Sequence, residues 1–362
     1  MAPNETKWVR DHAGHGPERQ CFVGVDVGSV TTKLVVIGPS QEVLLEEYIR
    51  NNGSPIEAVQ RAFGKLGSSG LDGTLGGIGT TGSGRFLAAA IVGADVVKNE
   101  ISCHARAARE SFPDVGTVID IGGQDSKVIF FRDGYPVGFN MNTICAAGTG
   151  SFLDHQAARL GIPIEEFGEW ALRSSSPARI AGRCGVFAES DLIHKQQLGY
   201  RKEDLIAGLC NALAMNYVTN VARGHPIRPL VLFQGGVAAN KGMKKALEDK
   251  IGLEIIVPAH FKVMGALGAA LYAQDAAGTR NVRQRQGSEG QKLSLPEIAS
   301  RISSLSASSK GFVCDGCANS CEVQEISVDG KVVARWGSRC GKWEVQPLAP
   351  NFRPAEKDLR FS

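Results

Sequence analysis

The feature that most constrains the fold is an internal duplication. Residues 25–34 read VDVGSVTTKL, and residues 119–128 read IDIGGQDSKV. At a constant offset of 94 positions the two segments align an aspartate, a glycine, a hydroxyl residue and a lysine. Each segment joins two apolar strands through a short glycine-containing turn, which predicts the same β-hairpin in two places. Because helical stretches follow each hairpin, we expect two related α/β lobes.

The rest of the chain fits around these two hairpins. Apolar residues recur at helical spacing in 151–160 and 203–221, and short apolar strands are expected at 230–233 and 253–257. The predicted organisation has five parts: an N-terminal extension (1–20), a core (21–273), a linker rich in Gly, Gln and Ser that can include a short helix near 296–305 (274–310), a cysteine-rich module (311–345) and a tail (346–362). The core divides into lobe I (about 21–113) and lobe II (about 114–273), with a last helix that returns to lobe I as an alternative.

The two turns have the composition of a phosphate site. A strand that ends in Asp-x-Gly allows backbone N–H groups to close around a phosphate, because glycine adopts backbone angles that bulkier residues resist. A third glycine turn at 234–240 (QGGVAAN) offers bare backbone to a flat adenine ring. The residues predicted to contact ATP or ADP are Asp26, Gly28, Ser29, Val30, Thr31, Thr32, Lys33, Asp120, Gly122, Gly123, Gln124, Asp125, Gly148, Thr149, Gly235 and Gly236.

Five side chains are candidates for the chemistry, four from this set together with Lys127. Asp26 and Asp125 are suited to hold hydrated Mg²⁺. Gln124 is predicted to orient the attacking water, and Lys33 or Lys127 to neutralise charge that develops during phosphoryl transfer. The three predicted catalytic residues are therefore Gln124, Asp26 and Asp125.

The chain has nine cysteines, a high number for a reducing compartment. Cys145 and Cys184 each precede a predicted helix, whose N-terminus favours a thiolate. Two such ligands per chain become the four of a [4Fe–4S] cluster across a two-fold axis. Spacing alone does not select Cys145 and Cys184 from the other cysteines. We interpret Cys21, Cys103 and Cys210 as buried side chains that fill apolar space.

A second cysteine set is denser. Cys314, Cys317, Cys321 and Cys340 follow the spacing C-x2-C-x3-C and then C after eighteen residues. This density predicts a metal site, and two interpretations stay open: a Zn²⁺ ion that supports a fold too small to stand alone, or a second iron–sulfur cluster.

Charge and hydropathy exclude several classes of partner. The formal net charge is +3, spread without long runs, so nothing indicates nucleic acid or an anionic membrane. No apolar stretch approaches the roughly 20 residues that span a bilayer, and the polar first nineteen residues do not resemble a secretory signal. We therefore expect a cytoplasmic protein.

Five motifs together resemble one family. They are VGVDVGSVTTK at 23–33, DIGGQDSK at 120–127, CAAGTGSFL at 145–153, RCGVFAESD at 183–191 and QGGVAAN at 234–240. In this order they resemble the activators of 2-hydroxyacyl-CoA dehydratases, a family that also includes the ATPase subunits of benzoyl-CoA reductase. The resemblance covers roughly residues 20–273 and implies an actin/hexokinase/Hsp70-like (ASKHA) fold with two duplicated lobes. The cysteine-rich module is an addition to it.

The resemblance also implies an activity. It implies a homodimer with one [4Fe–4S] cluster bound by Cys145 and Cys184 of each subunit, and one ATP site per subunit. A ferredoxin or flavodoxin would supply the electron, and ATP hydrolysis would drive its transfer to a partner iron–sulfur dehydratase or reductase. Two other functions use the same nucleotide residues: a small-molecule kinase related to N-acetylglucosamine or pantothenate kinases, and a non-catalytic nucleotide sensor with zinc in its tail.

Overall fold

The computed structural model describes residues 19–142, 149–182, 184–283 and 293–343. Cys145, Gly148, the first eighteen residues and the predicted tail lie outside the described residues. The chain divides into two compact units: unit 1 takes the chain up to Ala107 and again from Gly265, and unit 2 is Ala108–Met264. The last core helix therefore belongs to unit 1, which was the alternative assignment.

Unit 1 is built on a five-stranded sheet in the order β3-β2-β1-β4-β5. Its strands are β1 (Gln20–Val27), β2 (Thr31–Ile37), β3 (Val43–Arg50), β4 (Thr74–Thr81) and β5 (Val96–Val97). β1, β2 and β3 form an antiparallel meander, and β4 and β5 run parallel to β1. Three helices accompany them: α1 (Pro55–Ser68), α2 (Arg85–Val92) and α3 (Glu100–Ser111).

Unit 2 repeats this arrangement, with strand order β10-β9-β6-β7-β8. Its strands are β6 (Thr117–Ile121), β7 (Ser126–Arg132), β8 (Tyr135–Asn142), β9 (Val231–Gln234) and β10 (Ile255–Ile256). β6–β8 form the antiparallel meander, and β9 runs parallel to β6. Asp26 pairs with Lys33 across the first hairpin and Asp120 with Lys127 across the second. The predicted duplication is confirmed, residue by residue.

The helices of unit 2 pack around an apolar core. They are α4 (Gly150–Leu160), α5 (Ile164–Leu172), α6 (Gly185–Gln197), α7 (Lys202–Asn216) and α8 (Lys241–Ile251). The helix predicted over 203–221 ends in a π-helical turn, Tyr217–Val221. The buried hydroxyl of Tyr217 donates to the Lys127 carbonyl at 2.6 Å, which ties this turn to β7. No helix in the described ranges is both long and apolar enough to cross a bilayer.

Helix α9 (Met264–Arg283) packs closely within unit 1 because glycines lie at its contacts. A Cβ built on Gly24 of β1 would lie 1.9 Å from the Ala266 carbonyl oxygen. A Cβ built on Gly268 would lie 1.9 Å from the Cys103 carbonyl oxygen of α3. Backbones approach this closely only without a side chain between them.

The predicted linker at 274–310 differs from the structure. α9 continues to Arg283, and α10 (Leu295–Ser303) packs its buried Ile298, Ala299 and Ile302 with the core of unit 1. Ser294 caps α10, and its side chain accepts from the Glu297 amide while Glu297 accepts from the Ser294 amide. α10 agrees with the short helix expected near residues 296–305, although the polar composition of the stretch as a whole resembles a surface linker.

Unit 1 also contains a three-stranded antiparallel sheet, β11 (Ala307–Val313), β12 (Glu322–Val328) and β13 (Lys331–Trp336). Asp329 and Gly330 both have positive φ angles, 50° and 76°, as a two-residue hairpin turn requires. The sequence of 323–336, with this Asp-Gly pair at its middle, predicts a β-hairpin, and the antiparallel pairing of β12 and β13 confirms it.

Replacing two glycines of α9 by alanine should change the stability in opposite directions. Gly278→Ala should raise the free energy of unfolding by about 0.5–1 kcal/mol, because Gly278 is exposed, nothing lies within 4 Å of its added Cβ, and alanine favours the helix. Gly268→Ala should lower it by about 1–3 kcal/mol, because α9 must move away from α3. Urea denaturation followed by circular dichroism measures both, and shifts in the same direction would contradict this packing.

Candidate functional site

The first turn connects β1 to β2 in unit 1. The Gly28 amide donates to the Thr31 carbonyl at 2.9 Å, and Ser29 is exposed at the tip. Asp26 is buried at the end of β1, where its Oδ2 accepts from Lys33 Nζ at 3.0 Å. Burial lowers the pKa of Lys33, but the charge and hydrogen bond of the Asp26 carboxylate, together with the Glu100 carboxylate, raise it, so the net pKa lies above its usual value. Lys33 therefore stays charged beside Asp26.

The second turn has the same backbone geometry. The Gly122 amide donates to the Asp125 carbonyl, also at 2.9 Å, and Gln124 is exposed at the tip. Lys127 Nζ lies 3.3 Å from Asp120 Oδ2 and 2.7 Å from Asp125 Oδ1. The Lys127 side chain is only 1% exposed, so its charge is already neutralised inside unit 2. The suggested role of Lys127 in neutralising phosphate charge stays a prediction that its burial does not favour, whereas Lys33 keeps partial exposure.

The carboxylates differ in what they offer a metal ion. Asp26 Oδ1 is buried and has no hydrogen-bond partner among the described residues. An orphaned carboxylate oxygen at the end of a strand fits a hydrated Mg²⁺, which takes one or two protein carboxylates and keeps several waters. Asp125 is partly exposed, and its Oδ1 is engaged by Lys127. Asp26 is therefore the better supported of the two predicted ligands.

Asn51, just after β3, braces the first turn. Its Nδ2 donates to the Gly28 carbonyl at 2.8 Å, and its Oδ1 accepts from Thr32 Oγ1 at 2.8 Å. Thr32 is fully buried and its hydroxyl holds the turn, and its predicted contact with the nucleotide stays a prediction. Thr31 is also buried. Sequence reasoning missed Asn51, which lies far from the motif along the chain.

The third element lies where β9 leaves its sheet. Gly235 has φ +87°, and a Cβ there would lie 2.4 Å from the Ile121 carbonyl oxygen of β6. Its amide donates to the Phe261 carbonyl at 2.9 Å. A 3-10 turn (Gly236–Ala239) follows, and Asn240 then caps α8 by accepting from the Met243 amide. The predicted strand, glycine turn and helix start are confirmed.

Unit 1 contains a counterpart of this element that was not predicted. β4 pairs parallel with β1 as β9 pairs with β6. Gly82, just after β4, has φ +89°, and its Cβ would lie 2.4 Å from the Val27 carbonyl oxygen and from Asp26 Oδ1. Gly82 therefore corresponds to Gly235. The duplication thus includes the parallel strand as well as the hairpin, although little in the local sequence signals it.

Thr149 and the start of α4 are attached to the second turn. Thr149 is fully buried and precedes α4. The Gly150 amide donates to the Gly122 carbonyl at 2.8 Å, and the Ser151 amide donates to the Gly123 carbonyl at 2.9 Å. A movement of the second turn is therefore transmitted directly to α4.

The cysteines fall into distinct environments. Burial raises the pKa of Cys21 to about 11 and the pKa values of Cys103 and Cys210 to about 12. These thiols stay protonated at neutral pH, whereas metal ligands are thiolates, so the structure agrees with their interpretation as filler. Cys184 is half-buried at the N-cap of α6, as predicted. A centre shared with Cys145 stays a prediction, since Cys145 lies outside the described residues.

The surface beside Cys184 is apolar. Val186 and Phe187, in the first turn of α6, are 70% and 65% exposed. A pair of large exposed apolar side chains next to a candidate ligand is typical of a surface that another protein covers.

The second cysteine set lies at the end of the small sheet. Cys314 is buried, Cys321 is half-buried, and Cys317 and Cys340 are exposed. Hydrogen bonds from the Gly316 amide and the Trp343 indole hold the pKa of Cys314 below its usual value, with help from the Lys342 ammonium.

The sequence model of the BadF/BadG/BcrA/BcrD ATPase family matches residues 23–273. The chain belongs to this family. A 2-hydroxyisocaproyl-CoA dehydratase activator from Clostridioides difficile is 36% identical over 259 residues, which cover 70% of this chain and 95% of that protein. An (R)-2-hydroxyglutaryl-CoA dehydratase activating ATPase from Acidaminococcus fermentans is 36% identical over 260 residues, 70% of this chain and 97% of that protein.

Solved structures agree with these relatives. An activator of the 2-hydroxyisocaproyl-CoA dehydratase from Clostridium difficile, solved with bound ADPNP, has a TM-score of 0.66 at 34% identity, covering 75% of this chain and 100% of that chain. The (R)-2-hydroxyglutaryl-CoA dehydratase component A of Acidaminococcus fermentans has a TM-score of 0.64 at 36% identity, covering 71% and 99%. The fold is therefore of the ASKHA type. The cysteine-rich module lies beyond the matched family region.

Gly235→Ala should weaken ATP binding at least tenfold, because its Cβ would push against the β6 backbone at the predicted adenosine turn. Gly252→Ala is the matched control: Gly252 also has positive φ, 75°, but nothing lies within 4 Å of its added Cβ. Both variants carry a similar backbone cost of about 1 kcal/mol. Isothermal titration with ATP measures the difference, and equal affinities would remove Gly235 from the site.

Proposed function

We propose that this ATPase is a homodimeric activator that uses ATP hydrolysis to deliver one low-potential electron to a partner iron–sulfur acyl-CoA dehydratase or reductase in the cytoplasm. The observation that carries the proposal is the combination, in one chain, of a duplicated phosphate turn with a cysteine that starts a helix beside exposed apolar side chains. Its relatives named as dehydratase activators support the same type of partner. So does a relative from the benzoyl-CoA reductase of Thauera aromatica, which is 27% identical over 261 residues.

The nucleotide part of the proposal assigns roles to four residues. Asp26 of unit 1 and Asp125 of unit 2 are each proposed to offer a carboxylate to hydrated Mg²⁺, which neutralises charge on the phosphates when it is bound. Gln124, exposed at the tip of the second turn, orients the attacking water. Lys33 holds one oxygen of the Asp26 carboxylate, Oδ2, and leaves the other oxygen, Oδ1, for the metal ion.

The cysteine part of the proposal requires two chains. A [4Fe–4S] cluster supplies one-electron redox chemistry and needs four ligands, so Cys145 and Cys184 of each subunit bind it together. A second copy that completes this ligand set would also cover Val186 and Phe187. A ferredoxin or flavodoxin is the proposed electron donor.

Coupling between the two parts follows from the start of α4. The backbone of the second turn accepts hydrogen bonds from Gly150 and Ser151, and Cys145 lies five residues before Gly150 in the sequence. When hydrolysis changes the contacts of this turn, α4 changes position with it. The state of the nucleotide and the position of α4, which follows Cys145 in the sequence, are thereby linked through unit 2.

Metal content tests the cluster. Anaerobically purified Cys184→Ala should lose about four Fe and four sulfides per dimer relative to the wild type. Cys210→Ala, which removes a buried thiol of the same unit, should keep them. Elemental analysis with electron paramagnetic resonance after reduction measures both. Wild-type protein that carries no iron after anaerobic reconstitution would refute the activator proposal and favour a kinase of the same fold.

Two side chains on α6 test the dimer. Phe187→Ser should shift the protein from dimer to monomer and lower its iron content, because it removes apolar surface beside Cys184. Leu198→Ser is the control: Leu198, the residue after α6, is 63% exposed, close to the 65% of Phe187. Analytical ultracentrifugation under anaerobic conditions reports the oligomeric state. Identical behaviour of the two variants would place the subunit contact elsewhere.

A further inference from the structure

The four cysteines of the module lie at one end of its small sheet. β11 ends at Val313, immediately before Cys314, and β12 begins at Glu322, immediately after Cys321. β13 ends at Trp336, a few residues before Cys340. Because neighbouring strands are antiparallel, the end of β11, the start of β12 and the end of β13 meet at the same edge.

Backbone hydrogen bonds close the first three cysteines into one loop. The Cys314 amide donates to the Cys321 carbonyl at 2.8 Å, which extends the β11–β12 register by one pair. The Ser320 amide donates to the Cys317 carbonyl at 3.2 Å, and Ser320 has a positive φ of 43°. An L-residue in this region marks a tight, specified turn.

Trp343 brings the fourth cysteine to this loop. Its indole Nε1 donates to Cys314 Sγ at 3.1 Å, and its ring meets Phe312 edge-on at 5.1 Å. Buried Ser338 accepts from the Gly341 amide through its carbonyl and from the Trp343 amide through its hydroxyl. The segment that contains Cys340 is thus folded back towards Cys314.

The surroundings of Cys314 are those of a metal-bound sulfur. Its Sγ accepts two N–H groups, from the Gly316 amide at 3.4 Å and from Trp343 Nε1 at 3.1 Å. A neutral thiol is a weak acceptor, whereas a ligand thiolate gains from each donor. Backbone and indole N–H donors to one buried sulfur suit a ligand thiolate, whereas a thiol that only packs does not need them.

The sheet itself has little apolar material to stabilise it. Val323, Ile326 and Ala334 are its buried apolar residues within β11–β13, and most side chains of β11 are exposed. Trp336 adds a ring contact with Phe86 of α2 at 6.4 Å. Sheets this small usually need a cross-link to be stable. A metal centre at the open end would supply it.

We propose that Cys314, Cys317, Cys321 and Cys340 bind one metal centre as four thiolates, and that Trp343 positions and stabilises the sulfur of Cys314. A single Zn²⁺ and an iron–sulfur cluster share this ligand chemistry. In the described part of the chain no three of these sulfurs lie within 4.8 Å of one another, so a single ion would draw the loop tighter than a cluster does. The site is independent of the proposed interface cluster.

Full-length protein with Cys184→Ala is the background for the test, because it lacks a ligand of the interface cluster. It should retain, per chain, either one zinc or about four Fe with matching sulfide. Adding Cys321→Ser should remove this metal, and adding Cys21→Ser, which changes a buried thiol of unit 1, should not. Zinc and iron are distinguished by elemental and sulfide analysis. Absence of metal, or metal that persists with Cys321→Ser, overturns the site.

This design separates the two proposals. If Cys184→Ala loses no metal while Cys321→Ser does, the interface cluster fails and the module site stands. If Cys184→Ala loses metal while Cys321→Ser does not, the module site fails and the interface cluster stands.

Trp343→Phe tests the site with a variant that keeps an aromatic ring against Phe312. Loss of the indole N–H should speed metal transfer to a chelator about tenfold or more. Trp336→Phe is the control, because its ring contacts Phe86 and no hydrogen bond joins it to a described cysteine. Equal rates for the two variants would mean that Trp343 only packs the module.

Discussion

Two ion pairs across equivalent hairpins hold the rest of the site in place. Asp26 and Lys33 in unit 1, and Asp120 and Lys127 in unit 2, occupy the same register positions. Each pair fixes the end of a central strand where a glycine turn begins. An unpaired charge buried at either position would be costly, so neither partner is replaceable alone. In unit 1 the first turn, the bracing side chain of Asn51 and Gly82 after β4 are all arranged around Asp26, which is already paired with Lys33.

The copies have diverged where chemistry requires it. In unit 1 the lysine leaves one aspartate oxygen orphaned, whereas in unit 2 a second carboxylate, Asp125, also engages the lysine. Unit 2 therefore carries one more acid and a glutamine at its turn, and unit 1 carries a hydroxyl. In the proposed activator the two copies therefore have different roles: Asp26 is the better supported metal ligand, and Gln124 is the residue proposed to orient water.

The sequence was most informative where the constraint is local. The offset of the two hairpins predicted the paired residues, and the Asp329-Gly330 pair predicted its turn, because these features depend on neighbouring residues. Asn51 and Gly82 were missed because their roles exist only once distant strands have paired. The burial of Lys127 between two carboxylates was not visible in the sequence either, because it depends on how the hairpin packs. The short helix expected near residues 296–305 is α10, although the polar residues around it made the stretch resemble a linker.

The order of the units along the chain has a consequence for biosynthesis. Unit 2 is inserted between Ala107 and Gly265, so unit 1 is made from the two ends of the described chain. The strands of its sheet leave the ribosome early, but α9, against which Gly24 packs, is translated only after the whole of unit 2. Closing such a long loop is slow compared with local pairing. Unit 2 is therefore the part that can complete its core first. Until α9 is made, the early strands of unit 1 keep an apolar face uncovered. Pulse proteolysis of nascent chains would detect this interval, in which a chaperone is most useful.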